Sequence, residues 1–314
     1  MTEVEELLVP VDGAELHVLT AGDGFPVVLL HGFPELAYSW RHQLPALAAG
    51  GFRAIAPDQR GYGRSTCPDE VTDYDLDHLC GDVLGLLDAL ALERAVVVGH
   101  DWGSGVAWAL AQRHPDRVAG VVGVSGSFIP RADRRPTDGY RATFAGRFFY
   151  ILYFQPLGPA DAELNRDIPH TVRSIFAGDT PEHEWYVDDG RGFLERIPVP
   201  TQLPPWLTEE DLDVYVREFS VSGFTGPLNW YRNLDRNWAL SERYADTKIE
   251  VPSLFVAGAN DAAVALSPPA EMDGWVLDHR GDVLIDGAGH WVQQERPGPV
   301  SDALIEFTTT IAHG

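Results

Sequence analysis

Short apolar runs of strand length recur through the first 130 residues, and each run ends in turn-forming residues. They read ELHVLTAG, PVVLLHG, FRAIAPD, AVVVGHD and VAGVVGVSG, and the later ones are separated by segments long enough for helices. Strands that are apolar throughout are typical of a parallel sheet with both faces covered. Because such strands alternate with helical segments, the pattern predicts an α/β core.

The pattern changes between about residues 131 and 246. Apolar positions there follow helical spacing, aromatic residues are frequent, and prolines interrupt the chain at IPVPTQLPPW. Strand-like runs return in PSLFVAGAND and DVLIDGAGH, and PVSDALIEFTTTIA predicts a last helix. We therefore expect three segments: a first part of the core over residues 1–130, an inserted helical cap domain over 131–246, and a second part of the core over 247–314.

Charge and composition narrow the classes of partner. The 314 residues include 47 Asp or Glu and 23 Lys or Arg, a formal net charge of -24. This excess repels phosphate backbones and anionic membrane surfaces, so we expect no nucleic acid as a partner. The chain has no apolar run of about 20 residues that could span a bilayer, and its acidic start does not resemble a secretory signal.

The two cysteines, Cys67 and Cys80, match neither a disulfide framework nor the spacing of a metal site. Together with the acidic N-terminus, they favour a reduced, cytoplasmic setting. The sequence leaves both a monomer and a homo-oligomer open.

Reactive side chains follow the predicted strands. His31 comes after PVVLL, Asp101 after VVVGH, Asp261 after LFVAGAN and His290 after LIDGAG. Ligands of open α/β sheets bind beyond the carboxyl ends of the strands. We therefore expect these four residues along one edge of the sheet.

The stretch GHDWGSG, residues 99–105, has the outline of G-x-S-x-G, the strand-turn-helix elbow that exposes a nucleophile. Asp101 stands in the place of serine, and Gly99 and Gly103 suit a tight turn. A helix N-cap is the alternative interpretation of Asp101. As a nucleophile, an aspartate suits substitution at saturated carbon, because the ester that forms has its hydrolysable carbonyl on the enzyme.

His290 can act as a general base if a carboxylate holds its second ring nitrogen. Asp261 is the best candidate because it ends the preceding core strand, and Asp286 and Asp133 are alternatives. The order nucleophile, acid, histidine matches the arrangement in α/β-hydrolases.

The stretch HGFP, residues 31–34, follows a predicted strand and can direct backbone N–H groups at an oxyanion. The expected donors are the N–H groups of Phe33 and Trp102. A proline turn without a chemical role is the alternative interpretation.

Six stretches together resemble the epoxide hydrolases of the α/β-hydrolase fold, especially the hydrolase domain of the soluble mammalian type. They are HGFPELAYSWRHQLPAL, DQRGYGRS, GHDWGSG, LYFQ, PLNWYRNLDRNW and GAGHWVQQERP, and the resemblance runs from about residue 5 to the C-terminus. It implies a mostly parallel central sheet with helices on both faces and an inserted helical cap. It also implies hydrolysis of an epoxide to a vicinal diol through a covalent hydroxyalkyl ester on Asp101, with neither a metal nor an organic cofactor.

The resemblance assigns two tyrosines of the cap to the epoxide oxygen, and the matching positions are Tyr153 in LYFQ and Tyr231 in NWYRN. Both also fit helical apolar stripes, so core packing is the alternative. We expect five residues to line the substrate pocket: His31, Pro34, Trp102, Phe154 and Trp230. Aromatic residues of the cap favour a lipophilic epoxide as the substrate; they are Phe148, Phe149, Phe154, Trp185, Trp230 and Trp238.

Haloalkane dehalogenases are the nearest alternative, because they resemble this chain in fold, in the nucleophile and in the tryptophan that follows it. They usually add an asparagine or a second tryptophan as a halide donor, and Phe33 occupies the loop position where that asparagine often lies. Fluoroacetate dehalogenases have an arginine where this chain has Trp102. A non-catalytic binding protein on the same scaffold is an alternative of another class, disfavoured because Asp101, Asp261 and His290 are all present.

Overall fold

The computed structural model of the chain describes residues 3–178 and 186–313. Within these residues, eight strands form one sheet: β1 (Glu5–Val11), β2 (Ala14–Ala21), β3 (Phe25–Leu30), β4 (Phe52–Pro57), β5 (Ala95–His100), β6 (Val118–Val124), β7 (Ser253–Gly258) and β8 (His279–Ile285). Their order across the sheet is β1-β2-β4-β3-β5-β6-β7-β8. The pairs β1–β2 and β2–β4 are antiparallel, and every neighbouring pair from β4 to β8 is parallel.

The predicted α/β core is thus confirmed. The sequence interpretation missed β1, whose burial alternates weakly because it forms one edge of the sheet.

The α-helices in the described residues are α1 (Gln43–Ala49), α2 (Leu76–Ala89), α3 (Trp102–Arg113), α4 (Pro136–Thr143), α5 (Tyr150–Tyr153), α6 (Pro159–Arg166), α7 (Ile168–Ala177), α8 (Glu209–Ser222), α9 (Thr225–Arg232), α10 (Leu234–Leu240), α11 (Ala263–Leu266), α12 (Val292–Glu295) and α13 (Pro297–Ala312). Short 3-10 helices span Ala37–Trp40, Val71–Tyr74, Leu194–Arg196, Ser241–Tyr244 and Pro269–Met272. None of the helices described is both long and apolar enough to cross a membrane.

Both faces of the central strands are covered. Val27 and Leu29 of β3 belong to a core cluster that also contains Leu44 of α1 and Leu304 of α13. Side chains alternate along a strand, so Val28 points to the opposite face, and it is buried as fully as its neighbours. This explains why the predicted core strands are apolar throughout instead of alternating.

The chain divides into two compact units. The sheet unit consists of Met1–Gln59, Leu76–Pro130 and Arg243–Gly314, and the helical unit consists of Arg60–Asp75 and Arg131–Glu242. This division differs from the expected boundaries at two places. The segment Arg60–Asp75 groups with the helical unit although it was expected in the core, and the helical unit ends at Glu242 instead of residue 246.

Contacts with α9 and α10 explain why Arg60–Asp75 belongs to the helical unit. The indole N–H of Trp230 donates to the Arg60 carbonyl at 3.0 Å, and Arg236 Nε donates to Asp75 at 2.7 Å. Gly61 has a φ of 89° and lies so close to the Gly226 backbone that a Cβ would come within 3.1 Å of it. None of these long-range contacts leaves a signal in the local sequence pattern.

Candidate active site

Asp101, the candidate nucleophile, lies on a strained turn. Strand β5 is buried throughout and ends at His100, and α3 begins at Trp102, so Asp101 joins them with a φ of 51° and a ψ of -118°. Positive φ is rare for a residue with a Cβ and marks a turn held by its surroundings. A Cβ on Gly99 would overlap the Gly103 backbone, and a Cβ on Gly103 would overlap that of Leu30. The two glycines therefore allow the elbow that the sequence predicted.

The Asp101 side chain makes no capping hydrogen bond to α3, although the residue stands at the N-cap position. Its Oδ1 instead accepts a hydrogen bond of 2.8 Å from the backbone N–H of Phe33. Because Trp102 begins α3, the positive end of the helix dipole also lies at this carboxylate. The N-cap interpretation of Asp101 is therefore not supported by its contacts.

His290 lies between two carboxylates. Its Nδ1 is 3.1 Å from Oδ2 of Asp261 and 3.2 Å from Oδ1, and its Nε2 is 3.8 Å from Oδ2 of Asp101. The Asp261 side chain is 1% exposed, whereas those of His290 and Asp101 are 27% and 25% exposed. The structure thus brings together Asp101, Asp261 and His290. The alternative acids, Asp286 and Asp133, are exposed.

Asp261 is kept ionised by its neighbours. Burial alone would raise the pKa of this carboxyl, but the charge and hydrogen bond of His290 lower it below its usual value. The backbone N–H of Ala263 donates to Oδ1 at 2.8 Å, and the Ser125 hydroxyl also lowers the pKa. A buried carboxylate with several donors is well suited to hold one imidazole orientation.

The charges around His290 favour its protonated form. Burial alone would lower the pKa of the imidazole, but Asp261, Asp101 and Glu35 together raise it to about 9. His290 is therefore largely protonated at neutral pH. Any step that removes the charge of Asp101 lowers the pKa of His290 and moves the imidazole toward its neutral, basic form.

A buried pair, Glu35 and His100, supports the main chain of His290. Glu35 Oε2 is 2.6 Å from His100 Nδ1, and both side chains are fully buried. Because a carbonyl can only accept, His100 Nε2 donates to the His290 carbonyl at 2.8 Å. Burial alone would raise the pKa of Glu35, but His100 and His31 lower it to about 2. The other Glu35 oxygen accepts from the amides of Gln293 and Gln294.

The sequence interpretation assigned no role to these two residues, although both lie within stretches that it used, GHDWGSG and HGFPELAYSWRHQLPAL. Glu35 directly follows HGFP, and His100 directly precedes Asp101. The signal that the sequence offered was an ionisable side chain within each of these two stretches. Their partnership was not readable, because they are 65 positions apart in the chain.

His31 and Pro34, expected in the substrate pocket, are both buried in the HGFP loop. His31 Nε2 accepts the backbone N–H of Gln59 at 2.9 Å, and Nδ1 is 2.9 Å from the Gly32 carbonyl. Burial, the largest influence, lowers the pKa of this ring. The contacts of His31 are those of a residue that shapes the loop carrying Phe33, not of an open pocket wall.

In the helical unit, Tyr150 is the tyrosine that adjoins Tyr231. Their ring centroids are 6.1 Å apart, with the rings nearly perpendicular at 76°. Tyr153, which was expected in this position, packs against Phe148 and Phe154. Its pKa is raised by burial and by a hydrogen bond with the Glu163 carboxylate. The structure thus places Tyr150 beside Tyr231, whereas the resemblance had assigned Tyr153 to this pair; both tyrosines lie on one short helix.

Phe154 and Trp230, also expected in the pocket, are fully buried inside the helical unit. Phe154 packs edge-on against Phe193 and Tyr231, each with ring centroids 5.1 Å apart. Trp230 contacts Tyr62 at 5.6 Å. The structure therefore gives these two residues a packing role. Trp185 lies outside the described residues.

A mostly parallel sheet with an aspartate on the turn after β5, followed along the chain by a second aspartate and a histidine, has the arrangement of an α/β-hydrolase. Residues 26–297 match a family model described as alpha/beta hydrolase fold. Among the described residues, no group of three or more His, Cys, Asp or Glu side chains is arranged to hold a metal ion.

Within this class, the chain belongs to the epoxide hydrolases. It is 49% identical over 312 residues to Epoxide hydrolase A of Mycobacterium tuberculosis (strain ATCC 25618 / H37Rv), with 97% of each chain covered. It is 38% identical over 306 residues to Bifunctional epoxide hydrolase 2 of Sus scrofa, with 96% of this chain and 54% of that protein covered. The chain thus spans about half the length of that mammalian relative.

Solved structures agree with this family. The crystal structure of Epoxide Hydrolase A from Mycobacterium thermoresistibile matches with a TM-score of 0.95 at 48% identity, and 98% of each chain is covered. An epoxide hydrolase from an endophytic Streptomyces matches with a TM-score of 0.95 at 39% identity, with 99% of this chain and 97% of that chain covered. The fold and family predicted from the sequence are confirmed.

Proposed function

We propose that the chain hydrolyses an epoxide to a vicinal diol through a hydroxyalkyl ester on Asp101. One observation carries this conclusion: the two oxygens of the Asp101 carboxylate have different environments. Oδ1 accepts the Phe33 N–H at 2.8 Å, while Oδ2 faces His290 Nε2 at 3.8 Å, beyond hydrogen-bond distance. Oδ2 is therefore the oxygen that attacks a ring carbon, and Oδ1 becomes the carbonyl oxygen of the ester.

Ring opening breaks one carbon–oxygen bond of the epoxide and leaves negative charge on the released oxygen. A phenol with a reference pKa near 10 can stabilise that charge by a hydrogen bond and can then give up its proton. We propose Tyr150 and Tyr231 as this pair of donors, because their rings adjoin in the helical unit. The interaction of Tyr153 with Glu163 disfavours the role that the sequence interpretation gave to Tyr153.

Ester formation removes the negative charge of Asp101, which is one of the charges that raise the pKa of His290. The imidazole then becomes a better base, and Asp261 holds its Nδ1–H so that Nε2 can take a proton from water. The water oxygen attacks the carbonyl carbon of the Asp101 ester. The charge that develops on Oδ1 is stabilised by the N–H groups of Phe33 and Trp102. When the intermediate collapses, the ester carbon–oxygen bond breaks and the His290 imidazolium returns its proton to the leaving oxygen, so the diol is released. The proton of the new Asp101 carboxyl group replaces the one that the phenol gave up, and the carboxylate re-forms.

The substrate class that we propose is a small lipophilic epoxide. In the helical unit, Phe144 stacks on Phe149 with ring centroids 3.9 Å apart, and Phe149 in turn contacts Tyr150 at 5.4 Å. An apolar aromatic environment around the proposed phenol donor favours an apolar substituent on the epoxide. We propose that this helical unit is the cap domain of the enzyme.

The test is a single turnover with excess enzyme and styrene oxide in water labelled with heavy oxygen. The peptide containing Asp101 is then analysed by mass spectrometry. The ester route places the label in the Asp101 carboxylate. Label found only in the diol would show that water attacks the epoxide directly, and release of bromide from a bromoalkane without diol formation would favour a dehalogenase.

A further inference from the structure

Several side chains in the motifs LYFQ and NWYRN have no part in the proposed chemistry, and two of them connect the motifs to each other. They are Gln155, at the end of the first motif, and Arg232, which directly follows Tyr231 in the second. In the structure each of these side chains bonds to the backbone of the other motif. We call Gln155, Arg232 and the Asp161 partner of Arg232 the motif clamp.

Gln155 connects the two short helices that carry the proposed phenol donors. Its side-chain amide donates to the carbonyl of Ile151 at 2.9 Å and to the carbonyl of Tyr231 at 3.0 Å. Ile151 belongs to α5 and directly follows Tyr150, and Tyr231 lies in the last turn of α9. One amide group therefore fixes the separation of the two backbones beside both tyrosines.

Arg232 makes the return connection. Its side chain is 3% exposed, and it donates from Nε to the Phe154 carbonyl at 3.2 Å and from Nη2 to the Pro156 carbonyl at 3.3 Å. The same guanidinium pairs with Asp161, and the shorter of their two contacts is 2.5 Å. The rigid fork of an arginine suits several acceptors at fixed angles, which a lysine cannot match.

The two short helices cannot by themselves fix the orientation of the two tyrosine side chains. Helix α5 has four residues and α9 has eight, and both are too short to be stable without tertiary contacts. Tyr150 lies at the first position of α5 and Tyr231 at the penultimate position of α9. Both tyrosines thus lie at helix ends, where orientation depends on contacts from outside the helix.

We propose that the motif clamp positions Tyr150 and Tyr231 for the ring-opening step and has no part in hydrolysis of the ester. This inference rests on the proposed roles of the two tyrosines. A displacement of catalytic groups by about 1 Å can cost on the order of 100-fold in rate, so loss of one connection is expected to be measurable.

The experiment separates the two chemical steps. Rapid-quench mass spectrometry of the intact full-length protein with styrene oxide follows ester formation and ester decay. Gln155→Met keeps the size of the side chain but removes the donor, and Arg232→Lys keeps the charge but removes the fork. Arg173→Gln is the matched control, because it breaks an exposed ion pair with Glu209 in the same unit.

We expect each clamp variant to slow ester formation by about tenfold and to leave ester decay within about twofold, while Arg173→Gln changes neither rate. The clamp acts through both tyrosines, so only its effect through Tyr150 remains when the Tyr231 hydroxyl is removed. Gln155→Met should therefore slow ester formation less in Tyr231→Phe than in the unmodified protein. A second double-mutant cycle, which combines Arg232→Lys with Tyr231→Phe, tests the same expectation independently.

Equal slowing of both steps, or additive effects of Gln155→Met and Tyr231→Phe, would mean that the clamp only stabilises the fold, and the inference would be wrong. The effect of Tyr231→Phe alone shows whether the proposed function itself is wrong. If Tyr231→Phe leaves the rate of ester formation unchanged, the tyrosine has no role in ring opening, and the clamp has nothing to position.

Discussion

His290 Nε2 stands 3.8 Å from Asp101 Oδ2, in front of the carboxylate but not hydrogen-bonded to it. The other ring nitrogen, Nδ1, is 3.1 Å from Oδ2 of Asp261, whose side chain is almost completely buried. An aspartate nucleophile needs no base to remove a proton from it, in contrast to serine. The separation is therefore consistent with a histidine whose task begins only after the ester has formed.

Replacing His290 should trap the ester. In His290→Gln the attack of Asp101 on the epoxide still proceeds, but no base activates water, so we expect diol turnover to fall by at least about 100-fold. The intact protein should then gain the mass of one substrate molecule. Asp101→Asn is the control and should gain no mass. A His290→Gln protein that turns over without accumulating ester would contradict the role given to His290.

The pKa of His290 should depend on the charge of Asp101. We expect proton NMR of the imidazole to give a pKa of about 9 in the unmodified protein, because Asp261 and Asp101 favour the protonated ring. Asp101→Asn removes one of these charges, as ester formation does, and should lower the pKa. Asp286→Asn changes an exposed carboxylate and should leave it unchanged. An equal pKa in all three proteins would show that Asp101 does not act on His290.

The raised pKa of His290 also predicts how stability depends on pH. Between the unfolded value of 6.5 and the folded value of about 9, the native state binds more protons than the unfolded state. The contribution of His290 to the free energy of unfolding is therefore complete below pH 6.5 and is lost as the pH rises through about 9. Urea unfolding at several pH values should show this loss in the unmodified protein and a smaller loss in His290→Gln.

The buried pair of Glu35 and His100 should be essential for stability. Removing one partner of a buried ion pair typically costs about 3–5 kcal/mol, because the other charge is left uncompensated. We expect a loss of this order for Glu35→Gln in urea unfolding, whereas Glu306→Gln on the exposed side of α13 should change the free energy of unfolding by less than about 0.5 kcal/mol. A Glu35→Gln protein as stable as the control would show that the pair is not ionic.

Tyr150 and Tyr153 can be distinguished by single hydroxyl deletions. We expect Tyr150→Phe and Tyr231→Phe each to slow ester formation by about 100-fold, because the released oxygen loses a proton donor. Tyr153→Phe should stay within about threefold, because its hydroxyl interacts with Glu163. Rapid-quench measurement of ester formation decides between the two tyrosines, and a large effect confined to Tyr153→Phe would restore the interpretation made from the sequence.

Much of the sheet unit was predictable because its signals are local. The apolar runs that became β3 to β7 are strands whose two faces are both covered, and glycines at 99 and 103 mark the turn that places Asp101 at the sheet edge. The order of Asp101, Asp261 and His290 then followed from the order of the strands. An edge strand such as β1, which is largely exposed, carries a weaker apolar pattern and was missed.

The sequence by itself determined the α/β core and the elbow residue, since strand periodicity and glycine spacing are encoded within short segments. It also carried the six motifs on which the resemblance to the epoxide hydrolases rests. Only the tertiary structure decided which tyrosine adjoins Tyr231, that Arg60–Asp75 belongs with the helical unit, and that Glu35 pairs with His100. Those relationships join residues far apart in the chain. They depend on side-chain direction and on the accommodation of buried charge, neither of which leaves a repeating pattern in the sequence.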